Sequence, residues 1–205
     1  MMEACSVVIS ESEKLTKTLM ERHGVSLKTG FLTENCPRML PVNIANLERS
    51  KYFNTLSRII YGLGHIIERE DVDKEVQELR VPKWPFDDLD LPVIFRLQLI
   101  YSMIAHSWFI EKYKYKNVSE LMRDDSVKYL PPQLAVPLWK LSQITGIAPS
   151  MSYCLYSLWN YYSFPSGKSI ELEDRIHVLH TFTNTVDEKW FVKIHQMVEI
   201  IIEPA

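Results

Sequence analysis

Three cysteines in 205 residues, Cys5, Cys36 and Cys154, form no metal spacing and no even disulfide set. That usage suits a reducing compartment, and a cytoplasmic location is expected. Lysine and arginine form no block. The tightest cluster, Lys112 to Lys116, alternates with tyrosines and reads as a solvated helix end. With a net charge of −3 and a pI near 6.1, nucleic acid is not an expected partner. The first residues, MMEACSVVISESEK, are acidic and lack a cationic lead and a long apolar run, so no signal peptide is expected. The most apolar segment, Leu91 to Ile110, carries Arg96, Gln98 and His106. Such residues are costly in lipid, so the expectation is a buried helix and no membrane partner. Glycine-rich phosphate loops, G-x-S-x-G, H-E-x-x-H and C-x-x-C are all missing; Gly62-Leu63-Gly64 lacks a third glycine and a preceding strand.

What the chain does have is apolar content, 46%, enough for one sizeable core. Residues 1–24 read as an amphipathic helix and 25–48 as an extended lead-in. Leu47 to about Glu70 is helical by the spacing of Phe53, Leu56, Ile60, Leu63 and Ile67, with Gly62 and Gly64 marking a close helix approach. Asp71 to Arg80 continues as a charged helix, broken at Val81-Pro82-Lys83-Trp84-Pro85. A long helix follows from Leu91 to Tyr113, with Phe95, Leu99, Met103, His106 and Ile110 as its stripe. Asn117 to Tyr129 reads as a short helix and loop. Pro131-Pro132 starts a helix over Leu134 to Thr145, with Gly146 as its C-cap. Another helix is predicted from Pro149 or Ser150 to Tyr162. Ile176 to Phe182 is ambiguous between helix and strand. Asp187 is placed as the cap of the last helix, which carries Phe191, Ile194, His195, Val198 and Ile202 on one face. The class is all-α, with short proline-marked connections between antiparallel helices.

Several residues are candidates for chemistry. His177 and His180, three apart near Glu171, Glu173 and Asp174, could hold a metal on a helix face; without a third ligand in register, exposed histidines are the plainer reading. His106 reads as a core histidine. His195 is different, because Trp190 and Phe191 share its helix and Tyr153, Tyr156, Ser157 and Trp159 precede it. Tyr153, Tyr156, Ser157 and Asn160 would share a helix face by spacing. Aromatics with one hydroxyl and one imidazole suit a flat, mostly apolar ligand, although a plain aromatic core fits the same pattern.

In their order and spacing, several segments are familiar: Thr29-Gly30-Phe31-Leu32, Ile104-Ala105-His106-Ser107-Trp108, Leu130-Pro131-Pro132-Gln133-Leu134-Ala135-Val136-Pro137-Leu138, Gly146-Ile147-Ala148-Pro149, Trp159-Asn160-Tyr161 and Asp187-Glu188-Lys189-Trp190-Phe191 with His195 and Glu199. From about residue 25 onward the chain resembles the indoleamine 2,3-dioxygenase family, haem enzymes that open the indole ring of tryptophan to give N-formylkynurenine. Residues 1–24 show no clear match. The resemblance implies a multi-helical small domain over 25–183 and, over 184–205, the first helix of a haem-binding domain.

The same resemblance implies haem b as cofactor and an indole plus O2 as small-molecule partners. His195 is then the catalytic candidate. Tyr153, Tyr156, Ser157 and Phe191 are substrate-binding candidates, and Ser157, Phe191 and His195 would face the cofactor. Family chains are about twice as long, so the proximal iron ligand is expected beyond Ala205 and this chain alone is expected to be inactive. A non-catalytic helical interaction module derived from the family is the alternative, and a reduced haem protein with His195 or His106 as axial ligand is a third. The last helix, apolar nearly all round at Ile200 to Ile202, is expected to be sticky if uncovered and to favour self-association.

Overall fold

The computed structural model describes residues 32, 39–41, 45–114, 123, 129–163 and 176–201. The expectations for residues 1–24, for most of 25–48 and for most of 117–129 lie outside them. The described part is predominantly helical, as expected: α1 Leu47–Tyr61, α2 Leu63–Glu68, α3 Val72–Glu78, α4 Leu91–Tyr113, α5 Pro132–Thr145, a π-helical turn Cys154–Leu158, and α6 Val186–Ile201. One small antiparallel pair, β1 Tyr161–Ser163 and β2 Ile176–Val178, joins the turn to the last helix, with Tyr162 opposite His177.

Helix ends follow local chemistry. Asn46 caps α1 by accepting from the amides of Glu48 and Arg49, each at 3.1 Å. Pro132 enters the first turn of α5, where a missing N–H costs nothing, and Gly146 ends that helix at φ 73°. The continuous helix expected from Leu47 to Glu70 is broken at Gly62 into α1 and α2. The helix expected up to Tyr162 is only the π-helical turn, after which the chain is extended.

Helix α4 is the centre of the fold. Leu97, Leu99, Tyr101, Met103 and Ile104 are fully buried, and α5, α3, α1, α2 and the π-helical turn all pack on it. By length and composition α4 could cross a membrane, but most of it is buried inside this core. Its polar side chains fasten it to its neighbours. Arg96 donates to the Tyr161 carbonyl at 3.0 Å, and Gln98 bridges the Ile147 carbonyl and the Thr145 hydroxyl. The Trp108 indole donates to Asp73 at 2.6 Å. Glu111 accepts from the Val72 and Asp73 amides, satisfying the otherwise open start of α3. Asp73 is held below the usual carboxylate range, chiefly by the Trp108 hydrogen bond. The expected stripe is corrected at its far end: Ile110 is half-exposed and His106 is exposed, because the elements that cover α4 lie on its other sides there.

The expected close approach at Gly64 exists, but its partner is a loop and not a helix. A Cβ on Gly64 would overlap the side-chain amide of Asn184, which itself sits in the left-handed region at φ 56°. The contact fixes the loop leading into α6. Gly64→Ala is therefore expected to lower unfolding free energy by about 1–3 kcal/mol, as overpacking does. Urea denaturation checks this, and an unchanged midpoint would show that the loop yields freely.

Candidate functional site

Helix α6 begins in a knot of hydrogen bonds. Thr185, rather than the expected Asp187, caps it: the Thr185 hydroxyl accepts from the Glu188 amide at 3.2 Å. Glu188 then reaches back past the cap. Its carboxylate accepts from the amides of Phe182 and Thr183, each at 2.7 Å, from the Thr183 hydroxyl at 2.6 Å, and from the Tyr156 hydroxyl at 2.7 Å. Burial pushes this carboxyl upward, but those donors outweigh burial and leave it below its ordinary value. Tyr156 is pushed up by burial and by the same carboxylate. The sequence signal for this knot is Thr185-x-x-Glu188, a capping-box spacing.

Further along, Gln196 is fully buried and donates to the Ser157 carbonyl at 2.6 Å. Val192 and Gln196 therefore face inward against the π-helical turn. The opposite arc faces out: Trp190, Phe191, Ile194 and Val198 are 55, 53, 51 and 44% exposed. Tyr153, 50% exposed, stands beside that arc. His195 sits half-buried between them, with its ring 5.5 Å edge-on from Tyr153 and 4.5 Å from Phe191.

The tautomer of His195 follows from its neighbour. Nδ1 lies 2.7 Å from the Phe191 carbonyl oxygen, which can only accept, so Nδ1 carries the proton. In the neutral ring Nε2 is then an acceptor. The geometry thus brings together Tyr153, Phe191 and His195 from the expected set. Tyr156 turns its hydroxyl to Glu188 and packs its ring on Phe182 at 5.5 Å, and Ser157 is buried beneath α6. The shared face expected for Tyr153, Tyr156, Ser157 and Asn160 does not form, because the π-helical winding turns Tyr153 outward while Ser157 and Asn160 point in.

The other histidines correct the sequence reading. His106 is an exposed residue, 5.6 Å from the Phe182 ring, and not part of the core. His177 is exposed on β2, as the plainer reading had it, but His180 is 3% exposed. Asn160 grips the His180 backbone on both sides, at 2.7 and 3.0 Å. Both His180 ring nitrogens are buried without hydrogen-bond partners; Glu171, Glu173 and Asp174 lie outside the described residues, and among the described residues no group of three or more His, Cys, Asp or Glu could hold a metal ion. Burial first, and Arg96 second, push the His180 imidazole down to about 3.

A helical unit built on one buried helix, with an outward aromatic arc and one oriented imidazole, is the kind of wall that covers a flat apolar ligand. The comparisons give it a family. A family model described as indoleamine 2,3-dioxygenase matches residues 19–205, and the chain belongs to that family. Indoleamine 2,3-dioxygenase of Saccharomyces cerevisiae is 25% identical over 177 residues, covering 84% of this chain and 36% of that protein. Indoleamine 2,3-dioxygenase acdA of Aspergillus candidus is 24% identical over 194 residues, covering 88% of this chain and 41% of that protein. Indoleamine 2,3-dioxygenase nanC of Aspergillus nanangensis is similar at 23% identity, 88% and 40%. The chain spans about two fifths of the length of these relatives.

Two outcomes follow from the site's electrostatics. Glu188→Gln keeps the shape but halves the carboxylate's accepting capacity and removes its charge. It is expected to cost about 1–3 kcal/mol and to loosen α6, read as faster amide exchange at Val192 and Gln196. The second concerns acid. Unfolded His180 binds a proton below about 6.5 while the folded ring stays neutral down to about 3. Its stabilisation is complete above pH 6.5 and falls as pH drops through that window, by about 2 kcal/mol at pH 5. His180→Phe should flatten that part of the stability–pH curve; an unchanged slope would count against this account.

Proposed function

We propose that this chain supplies the distal wall of a haem dioxygenase site that opens the indole ring of L-tryptophan, giving N-formylkynurenine, in cytoplasmic tryptophan catabolism. The observation that carries the reading is the oriented His195 within the exposed arc of Tyr153, Phe191, Ile194 and Val198. That arc fits one face of a wide, flat, apolar macrocycle, and Phe191, Ile194 and Val198 would lie against it. When bound, haem supplies the iron centre at which O2 is activated.

The chain's own residues do the positioning. Phe191 offers its ring to the indole face, and Tyr153 walls the side. In its Nδ1–H tautomer His195 accepts at Nε2, which suits an indole N–H and orients the ring without removing its proton, because that N–H is a very weak acid. The apolar arc keeps the reacting edge dry. Tyr156 and Ser157, proposed for the substrate pocket on family resemblance, act here through the fold: Tyr156 holds Glu188, and the Ser157 carbonyl holds Gln196.

The test is haem titration of the purified chain followed in the Soret region, with and without indole. Haem uptake against the arc, without the bands of an iron held by a proximal ligand, is expected and is lost in Phe191→Glu. His195→Ala should retain haem and lose the indole-induced spectral change. Failure of the wild-type chain to take up haem would overturn the assignment and favour a protein-contact role for the same arc.

A further inference from the structure

On the other side of the Glu188 knot lies a cleft of about 290 Å3 between α2, α4 and the loop before α6. Its lining is Ile67, Ile110 and Phe182 with His106, Glu111 and Lys114, and two hydroxyls, Ser107 and Thr183, whose protons already go to the Met103 carbonyl and to Glu188. The charges in that lining are already engaged. Glu111 accepts from the Val72 and Asp73 amides, and Lys114 pairs with Glu70. The His106 imidazole has no hydrogen-bond partner among the described residues, and its ring faces Phe182 at 5.6 Å. An apolar slot with one uncommitted imidazole and no uncommitted charge selects by chemistry. It favours a flat neutral arene with a single hydroxyl or N–H, and it disfavours a carboxylate, which would lose water without gaining a cation.

We infer that this cleft binds a small neutral arene carrying one hydrogen-bonding group, and that occupancy is felt at α6. The link is Phe182. Its ring forms the cleft wall and packs on Tyr156 at 5.5 Å, while its amide donates to Glu188, the anchor of the helix that carries His195. A ligand pressing on Phe182 therefore shifts the anchor of α6. The cleft is an effector position separate from the Tyr153–His195 arc.

Titration with 2-naphthol, followed by NMR of protein labelled at histidine, tests this. The His106 ring signals are expected to move saturably with one site, and the His195 signals to move with the same midpoint. Ile110→Trp, at a position already half-exposed, fills the slot and should weaken binding at least about tenfold while leaving the thermal midpoint in place. The anion 2-naphthoate should bind at least about tenfold more weakly. Unmoved His106 signals, indifference to Ile110→Trp, or equal binding of the naphthoate would overturn the site. Movement at His106 without movement at His195 would leave a binding cleft and remove its effector role.

Discussion

A helix buried on nearly every side cannot choose its rotation by hiding an apolar face, because every face is apolar. Helix α4 is in that position over most of its length. Its rotation is set instead by the few polar side chains that must find partners once buried. Arg96, Gln98, Trp108 and Glu111 have partners in three different places: β1, the end of α5 with Ile147 just beyond it, and the first turn of α3, which takes both Trp108 and Glu111. A turn of α4 by one residue would strand all four, and each stranded group costs about 1–3 kcal/mol. The neighbours are thus placed relative to one another through one core helix.

The aromatic arc depends on that placement at one remove. Arg96 fixes Tyr161, and Asn160 beside it holds the His180 backbone, so the loop entering α6 has a fixed origin. Glu188 completes the attachment by collecting four donors from Phe182, Thr183 and Tyr156. With its inward face committed to Val192 and Gln196, α6 has only its apolar opposite face left to present. An outward apolar arc is usually a liability. Here it results from anchoring the inward face with polar groups, an arrangement suited to a helix that must offer its apolar side to something else.

Residues that act locally were legible in the sequence. Pro131-Pro132 and Gly146 delimit α5 because their backbone constraints hold in any fold. The run from Tyr153 to Tyr162 was not legible as a π-helical turn followed by a strand. Its aromatic spacing also fits a helix, and three-residue strands are too short to show alternation. Thr185-x-x-Glu188 has capping-box spacing, but the sequence reading put the cap at Asp187, and the reach of Glu188 back to Phe182 depends on a loop held by Gly64 and Asn184. The burial of His180 was equally hidden, since a histidine's exposure is decided by what lies over it.

Three histidines show why position alone does not make a site. His180 has two ring nitrogens without hydrogen-bond partners but is buried, with Tyr61 edge-on at 5.2 Å, so it remains neutral. His106 has an uncommitted ring over an apolar slot, but nothing fixes which nitrogen carries the proton. His195 alone among them has both requirements: a backbone carbonyl that fixes its tautomer and a place within an exposed aromatic arc, 4.5 Å from the Phe191 ring. A group that must orient a weakly acidic N–H needs its lone pair aimed before the ligand arrives, because any reorientation is subtracted from the binding it provides. The Phe191 carbonyl does that aiming from one helical turn away, so in the proposed reading the residue assigned the stacking ring would also set the direction of the hydrogen bond.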